Sequence, residues 1–269
     1  MSLCEMTFYS EILKMDTQVT VILPEKEQGI GMEGYSAGKT DVCPVLWLLH
    51  GRSDDHTIWM RRTSIERYAV PLGLAVVMPE VSYSRYLNMA YGPAYYDYMT
   101  QELPGLCRQI FPAFSSRRED NFIAGLSMGG GGAVYIGLKQ PENYSHIGIF
   151  STGGAVPLEP LWRSEASGGR LLKDIYGTTD IGSLEGGPYD LFILAKKALE
   201  REVALPAIYH TMGTEDPRYP AAMAVKNFFE NLSGNPFRYE YHEGPGSHEW
   251  AFWDQWIQGF LDSLNIGEG

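Results

Sequence analysis

The spacing of apolar and polar residues changes repeatedly along the chain, and each change marks an element. Met6 to Met15 and Asp16 to Leu23 read as two β-segments, the second because Gln18, Val19, Thr20 and Val21 alternate as a half-buried strand does before Pro24 ends it. Residues 25–41 are rich in Gly, Lys and Glu and read as an exposed hairpin loop, with 29–38 as its mobile part. Val45-Leu46-Trp47-Leu48-Leu49 is apolar at every position, the pattern of a parallel strand covered on both faces, and it stops at His50-Gly51. Ser53-Asp54-Asp55 offers capping groups for a short helix around Trp59, Thr63 to Val70 reads as another helix, and Leu74 to Met78 as the next strand. Tyr95 to Ile110 has helical spacing and leads to the apolar run Asn121 to Ala124.

A helix follows that run, and Ser145 to Phe150 is a further core strand. The rhythm then breaks between Val156 and Glu202, where glycine pairs separate short amphipathic pieces. It resumes with a strand at Leu205 to Met212, a helix at Ala221 to Leu232, a strand at Phe237 to His242 and a closing helix at Trp250 to Leu264. Strands alternating with helices predict an α/β fold, with a mostly parallel sheet and helices on both faces. The expectation is one domain over residues 1–269, with 156–202 as a lid or cap insertion over the carboxyl edge of the sheet.

Composition narrows the function. Of 269 residues, 44% are hydrophobic and 20% charged, as in an ordinary globular domain. A formal net charge of -12 argues against nucleic acid and anionic membranes as partners, because phosphate binding depends on clustered Lys and Arg. The cysteines Cys4, Cys43 and Cys107 are too few and scattered for a disulfide framework or a structural zinc site. No secretory signal is read in residues 1–10, and no apolar run has membrane-spanning length, so a cytoplasmic enzyme is the expectation.

The candidate chemistry starts at Gly125-Leu126-Ser127-Met128-Gly129, which lies between an apolar strand and a glycine-rich helix. That context turns G-x-S-x-G into a nucleophile elbow, with Ser127 pushed out at the carboxyl edge of the sheet; a helix-capping serine is the plainer alternative. A serine hydroxyl needs a base, and the base needs a carboxylate to hold its tautomer. His248, in Gly244-Pro245-Gly246-Ser247-His248-Glu249-Trp250, falls in the loop before the final helix and is the candidate base. His56, His146, His210 and His242 fit structural hydrogen bonds better. Asp216, in Gly213-Thr214-Glu215-Asp216-Pro217, is the candidate acid, with the adjacent Glu215 as its rival. Backbone N–H groups of Met128 and Arg52 are the candidate oxyanion hole, Gly51 allows close approach of the substrate and His50 braces the loop. Asp54-Asp55-His56 holds metal-capable groups, yet capping suits adjacent residues at a helix start better, and neither a metal nor a cofactor is expected. The aromatic cluster Tyr83, Tyr86, Tyr91, Tyr95 and Tyr96 fits either an acyl or sugar pocket or plain core packing.

Leu48-Leu49-His50-Gly51, Tyr83 to Met89, Glu119 to Gly130, Gly213-Thr214-Glu215-Asp216 and Gly246-Ser247-His248-Glu249-Trp250 together resemble the esterase D family of α/β-hydrolases, and within it the bacterial tributyrin esterases. The resemblance spans nearly the whole chain. It implies the α/β-hydrolase fold, Ser127, Asp216 and His248 as triad, and the Arg52 and Met128 amides as oxyanion hole. Residues His50, Gly51, Tyr86 and Trp250 are the pocket candidates. The implied activity is hydrolysis of short acyl esters, acetyl to butyryl, through an acyl-serine intermediate, on a small-molecule ester and without cofactor. An S-formylglutathione-type thioesterase and an acyltransferase acting on a sugar hydroxyl are the alternatives, and relatives often self-associate. Pro217-Arg218-Tyr219 departs from the family, which tends to an aromatic pair there, and 29–38 is longer than the family pattern.

Overall fold

At the amino-terminal hairpin, β1 (Ser2–Ser10) pairs antiparallel with β2 (Met15–Leu23) in a computed structural model that describes residues 2–25, 42–152 and 168–266. The first strand is therefore earlier than the expected Met6 to Met15. The turn between the strands is fixed from outside: the Glu102 carboxylate accepts from Glu11 N–H at 2.7 Å and from the Ser10 hydroxyl, and Lys14 adopts φ 60°. The expected loop at 26–41 lies outside the described residues.

Six further strands follow the same direction. β3 (Val45–Leu49), β4 (Ala75–Pro79), β5 (Asn121–Leu126), β6 (His146–Phe150), β7 (Ala207–Gly213) and β8 (Glu240–Gly244) complete an eight-stranded sheet in the order β1-β2-β4-β3-β5-β6-β7-β8. Pairs β3–β4, β3–β5, β5–β6, β6–β7 and β7–β8 are parallel, while β2 joins β4 antiparallel. The continuous apolar run of β3 is explained by two cores. Val45, Trp47 and Leu49 enter one, while Leu46 and Leu48 enter the other.

Helices cover both faces. α1 (Ile58–Arg62) and α2 (Ile65–Ala69) lie between β3 and β4; Asp55 accepts from Thr57 N–H at 2.8 Å at the start of α1, so it holds the helix entry. The expected helix 95–110 is α3 (Tyr95–Asp97), a π-helical turn (Tyr98–Glu102) and α4 (Leu103–Ile110) in succession. Pro104 has no N–H to give back to the preceding turn, and the widened turn before it absorbs the gap. α5 (Met128–Lys139) packs in the first core; α8 (Tyr219–Glu230) joins it, and α9 (Trp250–Ser263) packs in the second.

Of the expected insertion, residues 156–167 lie outside the described ones. The remainder holds α6 (Gly168–Tyr176), a 3-10 turn (Ile181–Leu184) and α7 (Leu191–Leu199). Asp180 and Asp190 cap the last two, Asp190 accepting from Phe192 N–H at 2.8 Å. β8 starts later than the expected Phe237, because Arg238 turns at φ 44° and Tyr239 N–H bonds back to the Asn235 side chain at 2.7 Å. Phe237 and Tyr239 are buried all the same.

One connection positions everything else. A single residue, Ser127, separates β5 from α5, and it adopts φ 51°, ψ -115°. The turn is this tight because Gly125 and Gly129 meet: a Cβ on Gly125 would lie 2.5 Å from the Gly129 carbonyl carbon, and one on Gly129 would lie 2.4 Å from Leu49 O. Overpacking of this kind costs about 1–3 kcal/mol, and each kcal/mol lowers the melting temperature of a domain of this size by about 2–4 °C. We therefore expect Gly129→Ala to melt at least about 2 °C lower by scanning calorimetry, whereas an unchanged melting temperature would refute the close approach.

Candidate active site

β5, β7 and β8 run parallel, with β6 between β5 and β7, so the loops that follow them leave from the same carboxyl edge of the sheet. The β7 and β8 loops are laced together: Thr214 N–H donates to Gly244 O at 2.9 Å and Glu215 N–H to Gly246 O at 3.0 Å. Asp216 is thereby turned inwards and its side chain is fully buried, while Glu215 is exposed. His248 Nδ1 lies 2.8 Å from Asp216 Oδ2, and His248 Nε2 lies 3.0 Å from Ser127 Oγ. The other carboxylate oxygen accepts from Arg218 N–H at 2.8 Å, with the Arg218 guanidinium 3.8 Å away. Burial alone would push the Asp216 carboxyl up, but the hydrogen bonds from His248 and Arg218 N–H and the nearby positive charge outweigh it and hold the group below the usual range. An ionised Asp216 has only acceptors, so the proton on His248 sits on Nδ1 and Nε2 faces the serine hydroxyl as an acceptor.

Two serine-side bonds fix the nucleophile candidate itself. Ser127 N–H donates to Phe150 O at 2.8 Å, and the Thr152 hydroxyl donates to Ser127 O at 2.7 Å. Ser127 remains half-buried, open enough to be approached.

The loop after β3 is held in a different way. His50 is almost wholly buried; its Nδ1 lies 2.7 Å from Gly51 O and its Nε2 accepts from Val81 N–H at 3.2 Å. Those partners put the proton on Nδ1, which donates to the Gly51 carbonyl. The Tyr86 hydroxyl donates to His50 O at 2.9 Å. With 0% exposure, Tyr86 cannot form a pocket wall as the aromatic cluster suggested; it is a brace, and His50 is another. Tyr95 is buried in the first core as well.

Trp250 opens α9 half-buried, with its ring 5.3 Å from that of Trp59 and 5.0 Å from that of Trp253. Trp253, which the sequence did not single out, stands perpendicular to the His248 ring at 4.9 Å and is anchored by Nε1–H donating to Ser151 Oγ at 3.0 Å. Its signal was its position in the first turn of the closing helix, five residues after His248, where an aromatic could seat the imidazole. Three of the remaining histidines make structural bonds, His56 to Thr20 at 2.8 Å, His146 to Ser145 at 3.0 Å and His210 to Tyr239 at 2.8 Å, whereas His242, expected to do the same, stacks its ring on Tyr209 at 4.6 Å and its buried Nε2 has no hydrogen-bond partner among the described residues. Among the described residues no cluster of three or more metal-ligating side chains occurs, and no helix is long and apolar enough to cross a membrane.

The profile of the Esterase family matches residues 10–264. The chain belongs to the Esterase family. An acetyl esterase from Caldicellulosiruptor saccharolyticus is 28% identical to this esterase over 264 residues, 96% of each chain. Among solved structures, a fluorophosphonate-binding serine hydrolase of Staphylococcus aureus shares 33% identity with a TM-score of 0.83, covering 98% of both chains. An S-formylglutathione hydrolase from the same organism shares 34% identity with a TM-score of 0.78, also over 98% of both. The α/β-hydrolase fold expected from the motifs is thus shown, and the esterase is a member of the serine hydrolases.

A carboxyl group held low in the folded esterase stabilises it only while ionised. The contribution of Asp216 is complete above about pH 4, the unfolded value, and is lost as pH falls through the lower folded-state value. Unfolding measured from about pH 7 down to about pH 3 should show the stability gap between the esterase and Asp216→Asn narrowing towards acid. A gap that stays constant would mean that Asp216 is not ionised in the folded state.

Proposed function

We propose that this esterase is a serine carboxylesterase that cleaves short acyl esters, acetyl to butyryl, through an acyl-serine intermediate. The observation that supports it is the unbroken hydrogen-bonded line from Asp216 through His248 to Ser127. In the first step His248 Nε2 takes the Ser127 proton as Oγ attacks the ester carbonyl, and Asp216 stabilises the imidazolium that results. His248 then protonates the departing alcohol, and in the second half it activates a water molecule that releases the acid.

Negative charge on the carbonyl oxygen needs donors that are already in place. Met128 N–H belongs to the first turn of α5 and is one of the amides that a helix start leaves without a helical partner. Arg52 N–H is in the same peptide unit as Gly51 C=O. A trans peptide points its N–H opposite to its C=O, so the His50 Nδ1 bond to that carbonyl fixes where the Arg52 amide points. Tyr86 fixes the preceding peptide unit through His50 O. The acetyl esterase relative agrees with a small acyl group. A thioesterase of the S-formylglutathione type is the second reading, supported by the identity to the staphylococcal enzyme.

Turnover of 4-nitrophenyl acetate, butyrate and laurate tests the reading: we expect acetate and butyrate to be preferred, and Ser127→Ala to abolish the activity. Preference for laurate would overturn the short-chain claim, and activity surviving Ser127→Ala would overturn the mechanism. A faster thioester than oxygen ester would favour the second reading. Tyr86→Phe removes one tether of the oxyanion loop and no donor, so kcat should fall by about 10- to 100-fold, less than loss of a donor itself, with KM nearly unchanged. A rise in KM at constant kcat would mean that Tyr86 acts on ground-state binding instead.

A further inference from the structure

A second hydrogen-bonded line ends on Ser127, and the chemistry derived above does not use it. It starts at Tyr239, buried in the turn before β8, whose hydroxyl lies 2.8 Å from His210 Nδ1. His210, on β7 and wholly buried, has its Nε2 3.2 Å from Thr152 O. The Thr152 hydroxyl in turn donates to Ser127 O at 2.7 Å. A carbonyl can only accept, so the His210 proton sits on Nε2 and the Tyr239 hydroxyl donates to Nδ1. Every link therefore donates in the direction of Ser127. Burial pushes the His210 imidazole down to about 4, so the ring stays neutral and the direction holds around neutral pH.

The line ends where the backbone is strained. Ser127, at φ 51° and ψ -115°, can relax only by turning one of its two flanking peptide groups. The end of β6 grips both: Phe150 O accepts from Ser127 N–H at 2.8 Å, and two residues later Thr152 holds the Ser127 carbonyl. Gly131 N–H also donates to that carbonyl, at 3.1 Å, but it belongs to α5 and moves with the helix. The Thr152 hydroxyl has one proton, and its other acceptor, Phe150 O, is farther away at 3.3 Å. Gly130 leaves the room for this contact, since a Cβ there would lie 2.2 Å from Thr152 Oγ1.

Resting on the esterase reading above, we infer that Thr152 is a positioning residue for the nucleophile, itself held by His210 and Tyr239. The line fixes the Ser127 carbonyl, and with it the direction in which Oγ faces His248 Nε2 and the ester carbon. Without the Thr152 bond the strained residue turns towards a common backbone conformation and carries Oγ out of line. Orientation is lost and substrate binding is not, so the loss falls on kcat.

Thr152→Val keeps the shape of the side chain and removes the donor, whereas Thr152→Ser keeps the donor and removes a methyl group. With 4-nitrophenyl butyrate, Thr152→Val should lower kcat by about tenfold while KM stays within about twofold. The rate at which an alkyl fluorophosphonate labels Ser127 should fall in parallel, and Thr152→Ser should restore both to within about threefold of the unaltered esterase. Tyr239→Phe, which removes the first donor of the line, should lower kcat by about threefold on its own and leave it unchanged when Thr152→Val is already present. Unchanged kcat in Thr152→Val, a loss confined to KM, or a Thr152→Ser variant no better than Thr152→Val would overturn the inference. So would an equal Tyr239→Phe loss in both backgrounds, which would place Tyr239 and His210 in the fold and not in a line to Ser127. Absence of 4-nitrophenyl butyrate turnover by the unaltered esterase would count against the esterase reading itself, while the labelling rates would still report on Ser127.

Discussion

A one-residue connection between β5 and α5 governs the rest of the molecule. Residues with φ near 50° and ψ near -115° pay for that conformation with about 1–3 kcal/mol of strain unless glycine occupies the position. Here the strained residue is Ser127, and its surroundings leave it no alternative. Its N–H is bonded to Phe150 O, its carbonyl receives Thr152, and the glycines on either side let Leu49 and the helix backbone close in. The strain stays because β5 is central, with β3 and β6 as parallel neighbours, so neither end of the turn can relax.

The histidine and the acid complement that rigidity with a graded exposure. The Asp216 side chain is wholly buried, that of His248 is 21% exposed, and Ser127 is half-buried. A buried charge is costly unless it is paired and hydrogen-bonded, and Asp216 meets the condition with His248, Arg218 N–H and the Arg218 guanidinium. Trp253 packs perpendicular to the imidazole and is itself tied to Ser151, the residue after β6. Each member of the line is therefore held by an element other than its own.

The central strands and the elbow were legible because their physical demands are local. Val45–Leu49 has to be apolar throughout when both faces are covered, and the observed strand has the same bounds as the expected one. Asp216 was separable from Glu215 only in part, since adjacent loop carboxylates look alike until the Thr214 and Glu215 amides are seen to turn one of them inwards. The edges were harder. In β1 the exposed positions include Leu3 and Tyr9, so alternation of exposure is not alternation of polarity. Phe237 and Tyr239 are apolar because they are buried in a turn, which periodicity cannot separate from a strand. Tyr86 reads as one more aromatic until its hydroxyl is found on a carbonyl 36 positions away.

That long reach has a temporal meaning as well. Ser127 and His248 are 121 positions apart, and the histidine follows β8. During synthesis, the elbow emerges from the ribosome long before its base does, so a nascent chain carries a serine hydroxyl that has nothing to take its proton. If His248 is the base, as proposed, hydrolytic competence waits for β8 and the loop after it to join the sheet, and a chain that stalls earlier is chemically silent.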